Sequence, residues 1–146
     1  MKIPITKPFL GENERRAIFE PLESGWIVQG PKVAEFEQLF SEFTGTKYAI
    51  ATTSCTTALH LALVAMNVSY GDEVILPSFT FVATANVIEY TGATPVFCDI
   101  ALNTFNLDVN QIAKKITQKT KAIIPVHLFG LSADMKPIME IAEQYR

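Results

Sequence analysis

The spacing of apolar residues changes near Gly45, where helical periodicity gives way to short β-type runs. One segment in the first third of the chain carries apolar residues at the spacing of one helix face: Val33, Phe36, Leu39, Phe40 and Phe43. Pro31 suits the first turn of that helix and Gly45 suits its end. We therefore predict a helix over residues 31–44, preceded by a helix over residues 13–22 that Pro21 bends or ends.

Short apolar runs alternate with helical segments in the rest of the chain. The runs predict strands over residues 48–52, 73–76, 94–98 and 122–126, and the remaining segments predict helices over residues 56–68, 82–91, 109–116 and 135–145. This alternation requires crossover connections, so we predict an α/β fold with a mainly parallel sheet and helices on both faces. The helix over residues 56–68 is apolar nearly all round, and we expect it to be buried.

On this pattern the chain divides into two parts. Residues 1–30 form an N-terminal arm, a helix and a tryptophan loop, and residues 31–146 form the first portion of the α/β domain. Trp26 is the only tryptophan, and it lies in a loop between Gly25 and Gly30. Two interpretations of this loop stay open. Its apolar side chains could pack in the hydrophobic core, or they could line a binding site or an interface.

Composition narrows the classes of function. The chain has 146 residues, of which 49% are hydrophobic and 18% charged, and its net charge is −3. This balance, with no basic cluster longer than Lys114 and Lys115, argues against nucleic acid and anionic membranes as partners. No apolar run approaches the ~18 residues of a membrane span, and no signal peptide is evident, so we expect a cytoplasmic protein. Cys55 and Cys98 indicate reduced thiols rather than a disulfide framework or a metal site.

Polar and aromatic residues follow the predicted strands at the edge where parallel sheets bind ligands. Residues 54–57 read Ser-Cys-Thr-Thr and open the helix over 56–68, so their backbone N–H groups and the helix dipole would suit an anion. The other strand ends carry Phe81, Asp99 and His127. The pattern predicts a site for a phosphorylated, flat ligand, although Ser and Thr are also favoured at helix starts for stability alone.

Each of these residues also has a purely structural interpretation. Phe81 could be a core residue at a helix start, and Asp99 could serve only a turn. His127 could be a hydrogen-bonded structural histidine, and His60 could be a satisfied group inside the buried helix. Asn86, in the helix after Phe81, is open to both interpretations.

A cysteine nucleophile is a competing hypothesis. Cys55 at a helix N-terminus could have a lowered pKa, with His127 as its base, which would make the chain a hydrolase. The dinucleotide fingerprint and the Walker pattern are both absent after the first predicted strand, so neither type of nucleotide site is predicted.

Ordered blocks along the whole chain resemble the DegT/DnrJ/EryC1/StrS family of pyridoxal-phosphate-dependent nucleotide-sugar aminotransferases, which have the aspartate aminotransferase fold. The matching blocks are residues 24–27 with Gly30, 36–37, 54–61, 71–75, 77–81, 83–86, 92–97 with Asp99, 125–130 and 133–135. The chain looks most like the members that aminate 4-keto-6-deoxy nucleotide sugars, such as perosamine synthases. A further branch of the family catalyses dehydration and is not excluded by these residues.

The resemblance implies roles for individual residues. Thr56 and Thr57, with the backbone at Cys55, match positions that hold the cofactor phosphate, and Phe81 matches the aromatic position that stacks on the pyridine ring. The resemblance places Trp26 near the active site and the dimer partner, and we also expect Asn86 and His127 to lie near the substrate. It implies pyridoxal 5′-phosphate as the cofactor and a homodimer as the assembly. It also implies two substrates, a nucleotide sugar and an amino-acid donor, which is usually glutamate in this family.

The same resemblance identifies what these residues lack. In the family, two catalytic residues follow the segment that ends here at Arg146. One is the aspartate that pairs with the pyridine nitrogen, and the other is the Schiff-base lysine. No lysine of this chain occupies a matching position. We therefore expect no catalytic residue in this chain and no activity from it alone, which leaves a non-catalytic fragment or interaction module as an alternative.

Overall fold

The computed structural model describes residues 6–145. Within them the chain forms two compact units, residues 6–51 and residues 52–145. This division falls inside the predicted segment 31–146, and the predicted boundary at residue 30 stays a prediction. The first five residues of the predicted arm, and Arg146, lie outside the described residues.

Three helices make up the first unit: α1 (Glu12–Ala17), α2 (Phe19–Ser24) and α3 (Pro31–Thr44). Helix α3 has the predicted bounds and ends at Gly45, whose φ of 70° lies in the left-handed region that glycine adopts readily. The single helix predicted over residues 13–22 is wrong, because the chain breaks at Ile18. Pro21 has no N–H to donate to Ala17, so the helical ladder stops there and Pro21 sits in the first turn of α2.

The strand predicted over residues 48–52 is also wrong, because this segment is irregular. The N–H of Ala51 donates to a carboxylate oxygen of Glu37 on α3, at 2.8 Å. A side chain therefore takes the donor that a neighbouring strand would otherwise have engaged.

The tryptophan loop folds onto itself. The indole Nε1 of Trp26 donates to the carbonyl of Gln29 at 3.1 Å, and the Trp26 backbone N–H donates to the Ser24 hydroxyl at 3.3 Å. None of residues 6–51 is buried, and Trp26 itself is 56% exposed. The interpretation of Trp26 as a core plug is therefore wrong for this unit, since it has no core for the ring to fill.

The second unit is an α/β structure. Its elements are α4 (Cys55–Ala65), β1 (Glu73–Pro77), α5 (Ala83–Tyr90), β2 (Thr94–Cys98), α6 (Val109–Ile112), β3 (Thr120–Ile123) and α7 (Met135–Gln144), with 3₁₀ turns at Ala113–Lys115 and Leu128–Gly130. The strands form a three-stranded sheet in the order β2-β1-β3. Both pairings are parallel, with Ile75 opposite Val96 and Ile123.

Alternate residues of β1 pack on opposite sides of this sheet. Val74 and Leu76 pack with residues of α4 and α5, such as Leu63 and Val87. Ile75 packs in a separate cluster with residues of α6 and α7. The predicted fold class, a parallel sheet with helices on both faces, is therefore confirmed.

Several predicted bounds and one burial prediction differ from the structure. The helix over residues 109–116 is α6 followed by a 3₁₀ turn, and β3 ends at Ile123, before Pro125, which has no N–H for a ladder. Helix α4 is not buried all round: Leu63 is its one buried residue, while Leu61 is 50% exposed. Within residues 52–145, the sheet and α5 cover only one side of α4, so its other apolar face stays exposed.

Ser54 begins helix α4. Its hydroxyl oxygen accepts the backbone N–H of Thr57 at 3.1 Å, and its carbonyl accepts the N–H of Ala58, also at 3.1 Å. This arrangement satisfies one of the donors that a helix start leaves without a partner.

Replacement of Gly30 should displace the indole of Trp26. Gly30 has an extended backbone, with φ of −175°, so alanine causes no backbone strain there. A Cβ at Gly30 would, however, lie 2.1 Å from the Trp26 Nε1. We expect Gly30→Ala to shift the emission of this single tryptophan to longer wavelength. In Gly11→Ala, where the nearest atom is a flexible carboxylate at 3.3 Å, the emission should stay unchanged; equal spectra for both variants would contradict the packing described.

Removal of the Ser54 hydroxyl should destabilise α4. We expect Ser54→Ala to lower the free energy of unfolding by about 1 kcal/mol, the usual cost of losing such a cap. Chemical denaturation followed by circular dichroism measures the change. The control is Ser132→Ala, whose exposed hydroxyl donates only to the carbonyl of the adjacent Ala133. A larger loss in the control than in Ser54→Ala would contradict the capping role.

Candidate functional site

The carboxyl edge of the sheet collects the loops that carry the candidate residues. Because β1, β2 and β3 are parallel, the segments 78–82, 99–108 and 124–131 all leave the sheet at this edge. Helix α5 connects β1 to β2 and therefore begins there. Helix α4 ends just before β1 begins, so its C-terminus lies toward the amino edge and its first turn toward the carboxyl edge.

The first turn of α4 offers donors without a formal positive charge. The N–H of Thr57 is taken by Ser54, whereas the N–H groups of Cys55 and Thr56 have no acceptor within residues 6–145. The Thr57 hydroxyl lies 3.2 Å from that of Thr53 and 3.0 Å from that of Ser54. Free N–H groups, clustered hydroxyls and the positive end of the helix dipole together favour an anion.

Two aromatic residues lie in the segment that connects β1 to α5. Phe81 is 77% exposed, so the interpretation of it as a core residue is wrong and its ring has a free face. The ring of Phe79 contacts that of Phe105, with centroids 6.1 Å apart. Asn86 follows within α5 and is half-buried. An exposed ring at this edge can stack on a flat ligand.

His127 lies after β3, and its imidazole is hydrogen-bonded. Its Nδ1 accepts the backbone N–H of Ala133 at 3.0 Å, while the residue remains exposed. No hydrogen bond links His127 to Cys55 among the described residues. Since the Nδ1 lone pair is occupied, this geometry offers no free basic nitrogen to activate a thiol, and it does not support a Cys55 hydrolase.

No motif in the sequence marks Asn106 as a site residue. Its side chain is buried and bonds to the loop that follows His127: its Oδ1 accepts the N–H of Leu128 at 3.0 Å, and its Nδ2 donates to the carbonyl of Leu131 at 3.0 Å. In the sequence, Asn106 is one asparagine in a segment rich in turn residues, and a role in a turn or a helix cap would explain its presence there equally well. Only the contact with a loop 22 residues away distinguishes it.

The remaining candidates have local roles. Asp99 accepts the N–H of the next residue, Ile100, at 2.8 Å, in agreement with turn chemistry. His60 is half-buried on α4, and its ring meets Tyr90 edge-on at 5.7 Å. Cys98 is buried, and this burial raises the pKa of its thiol. Trp26 belongs to the other unit, residues 6–51.

Two classes of feature were not found among the described residues. Residues 6–145 contain no group of three or more histidine, cysteine, aspartate or glutamate side chains that could hold a metal ion. In the same range, every helix is too short or too polar to cross a membrane.

Comparison with known proteins gives a consistent result. Residues 8–146 match the DegT/DnrJ/EryC1/StrS aminotransferase family. The chain is 48% identical over 143 residues to the spore coat polysaccharide biosynthesis protein SpsC of Bacillus subtilis, covering 98% of this chain and 37% of that protein. It is also 48% identical over 145 residues to GDP-perosamine synthase of Caulobacter vibrioides, covering 99% of this chain and 39% of that protein.

The fold agrees with a solved structure of the same kind. The chain matches the PLP form of a candidate sugar aminotransferase from Streptococcus pneumoniae with a TM-score of 0.91 and 40% identity, over 99% of this chain and 37% of that one. It therefore spans between 37% and 39% of the length of these relatives. With the family matched over nearly every residue, the chain belongs to the DegT/DnrJ/EryC1/StrS aminotransferase family.

Proposed function

We propose that this chain supplies two parts of a pyridoxal 5′-phosphate-dependent sugar aminotransferase. They are the phosphate cup, the site formed by residues 54–57 that binds the cofactor phosphate, and the ring of Phe81, which stacks on the cofactor. The observation that carries the proposal is the first turn of α4, an uncharged cluster of N–H and hydroxyl donors, in a chain of this family. The enzyme would transfer an amino group from an amino acid, with glutamate as the expected donor, to the keto group of a nucleotide-linked 4-keto-6-deoxy sugar. The name of one relative, GDP-perosamine synthase, supports a nucleotide sugar as the substrate class.

The residues at the sheet edge fit the cofactor. The N–H groups of Cys55 and Thr56 and the hydroxyls of Thr56 and Thr57 would bind its phosphate, and the helix dipole would stabilise the negative charge. The exposed ring of Phe81 would cover one face of the pyridine ring and keep water from it. Cys55 is needed here only for its backbone, which explains how a thiol can stand at this position.

The chemistry itself requires groups that we place outside residues 1–146. Bound pyridoxal phosphate supplies the electron sink for amino transfer. We propose that the described residues bind and orient it. Residues 52–65, which contain α4 and the turn before it, include no lysine, and the hydroxyl and amide groups at the edge are poor proton carriers. We propose that the Schiff-base lysine and the aspartate that pairs with the pyridine nitrogen belong to a longer protein. This longer protein would act in the cytoplasm as a homodimer that binds a sugar substrate.

The phosphate cup can be tested with pyridoxamine 5′-phosphate, which lacks the aldehyde that would react with surface lysines. We expect the chain to bind this compound more tightly than pyridoxamine, because only the former carries a phosphate. Thr56→Val combined with Thr57→Val should remove most of that preference, by about tenfold or more, since hydrogen bonds to charged groups contribute ~1.5–3 kcal/mol each. Titration followed by NMR measures both affinities.

Two controls separate the cup from general destabilisation. Thr94→Val changes an exposed threonine at the start of β2, on the opposite edge, and should keep the full preference. Ser54→Asp keeps an oxygen that can cap α4 but adds a negative charge, so it should weaken phosphate binding while the helix remains stable. An unchanged preference in the double threonine variant would refute the cup.

The chain alone should not turn over substrate. With glutamate, pyridoxal 5′-phosphate and a nucleotide-linked 4-keto-6-deoxy sugar, we expect no release of 2-oxoglutarate above the rate without protein, because these residues contain no group placed to move the substrate proton. A coupled assay for 2-oxoglutarate measures this rate. Turnover that scales with the concentration of the purified chain would show that the proposal misplaces the catalytic groups.

A further inference from the structure

The loop after β3 is held by a buried side chain from a distant segment. Asn106, which is 4% exposed, spans this loop, defined as residues 127–131, with its amide. Its Oδ1 accepts the N–H of Leu128, and its Nδ2 donates to the carbonyl of Leu131, both at 3.0 Å. These partners determine how the amide is oriented. In a flipped amide, Nδ2 would face the N–H of Leu128, donor against donor, and Oδ1 would face the carbonyl of Leu131, acceptor against acceptor.

The loop needs such support, because its backbone is in an unfavourable conformation. Phe129 has φ of 50° and Gly130 has φ of 88°, so two consecutive residues lie in the left-handed region. Glycine tolerates this region, but a phenylalanine does so only when its surroundings impose it. Phe129 is 80% exposed, so packing of its own ring does not impose it. The two bonds from Asn106 enclose these residues on both sides.

The backbone just after this loop determines the hydrogen-bonding character of His127. The backbone N–H of Ala133 donates to Nδ1 of His127 at 3.0 Å. A neutral imidazole has one N–H and one lone pair, so the proton must lie on Nε2. The Nε2–H remains available because the residue is exposed.

We propose that Asn106 is a positioning residue that holds the loop so that His127 presents its Nε2–H as a hydrogen-bond donor at the carboxyl edge of the sheet. The acceptor would be an oxygen atom of the bound ligand, whether a sugar oxygen or a carboxylate of the amino donor. This part rests on the function proposed above. The loop thus gives the site a hydrogen-bond donor.

The tautomer can be read directly in the chain without any cofactor, so the result does not depend on the proposed reaction. The chain has two histidines, and long-range proton–nitrogen correlation NMR near pH 8 separates their ring nitrogens, with His60→Gln to assign them. We expect the His127 signals of the Nε2–H tautomer to dominate. In Asn106→Leu, the ratio of the Nε2–H to the Nδ1–H tautomer should fall by about threefold or more, toward that of an unconstrained histidine, while His60 stays unchanged.

Two further variants make the test decisive. Asn103→Leu alters an exposed asparagine of the same segment and should leave the His127 signals as they are. Asn106→Asp keeps the acceptor for Leu128 and loses the donor to Leu131, so it should give an intermediate ratio, and it serves as the test if Asn106→Leu does not fold. A dominant Nδ1–H tautomer in the unaltered chain would overturn the proposal. The same ratio in the unaltered chain and in a folded Asn106 variant would also overturn it.

Discussion

The second unit depends on the burial of one short strand from both sides. Val74, Ile75 and Leu76 of β1 are fully buried, and they alternate between the cluster formed with α4 and α5 and the cluster formed with α6 and α7. Removal of this apolar surface from water is the main favourable contribution to folding in a domain of this type. Because β1 also pairs with both neighbouring strands, it aligns β2 and β3 and so determines which loops meet at the carboxyl edge.

The candidate site is a consequence of that alignment. The helix starts and loops at the edge supply N–H groups, hydroxyls, an exposed ring and an imidazole donor, with no cationic side chain required. Such a set suits a cofactor whose phosphate is held by a helix start and whose ring is covered by an aromatic side chain. In the function proposed above, these residues bind and orient the cofactor.

The first unit presents a different physical situation. Its helices carry large apolar residues that remain exposed, among them Phe43 at 89% and Ile50 at 81%. Its local structure is nevertheless well specified: a left-handed glycine ends α3, and the N–H of Ala51 donates to Glu37, 14 residues earlier in the chain. Its single tryptophan is held by a carbonyl of its own loop rather than by a core.

The sequence by itself determined the local elements and the family. The apolar spacing and the Pro31 and Gly45 signals predicted α3 with its observed bounds, and the alternation of strands and helices predicted the parallel α/β class, because these signals act over a few residues. The ordered blocks predicted the family, which the comparison confirmed.

The tertiary structure decided what depends on partners far along the chain. A strand needs a neighbour, so residues 48–52 remained irregular; an apolar helix is buried only where something covers it, so α4 is half-exposed. Asn106 acquires its role only because folding brings the loop after β3 within hydrogen-bonding distance.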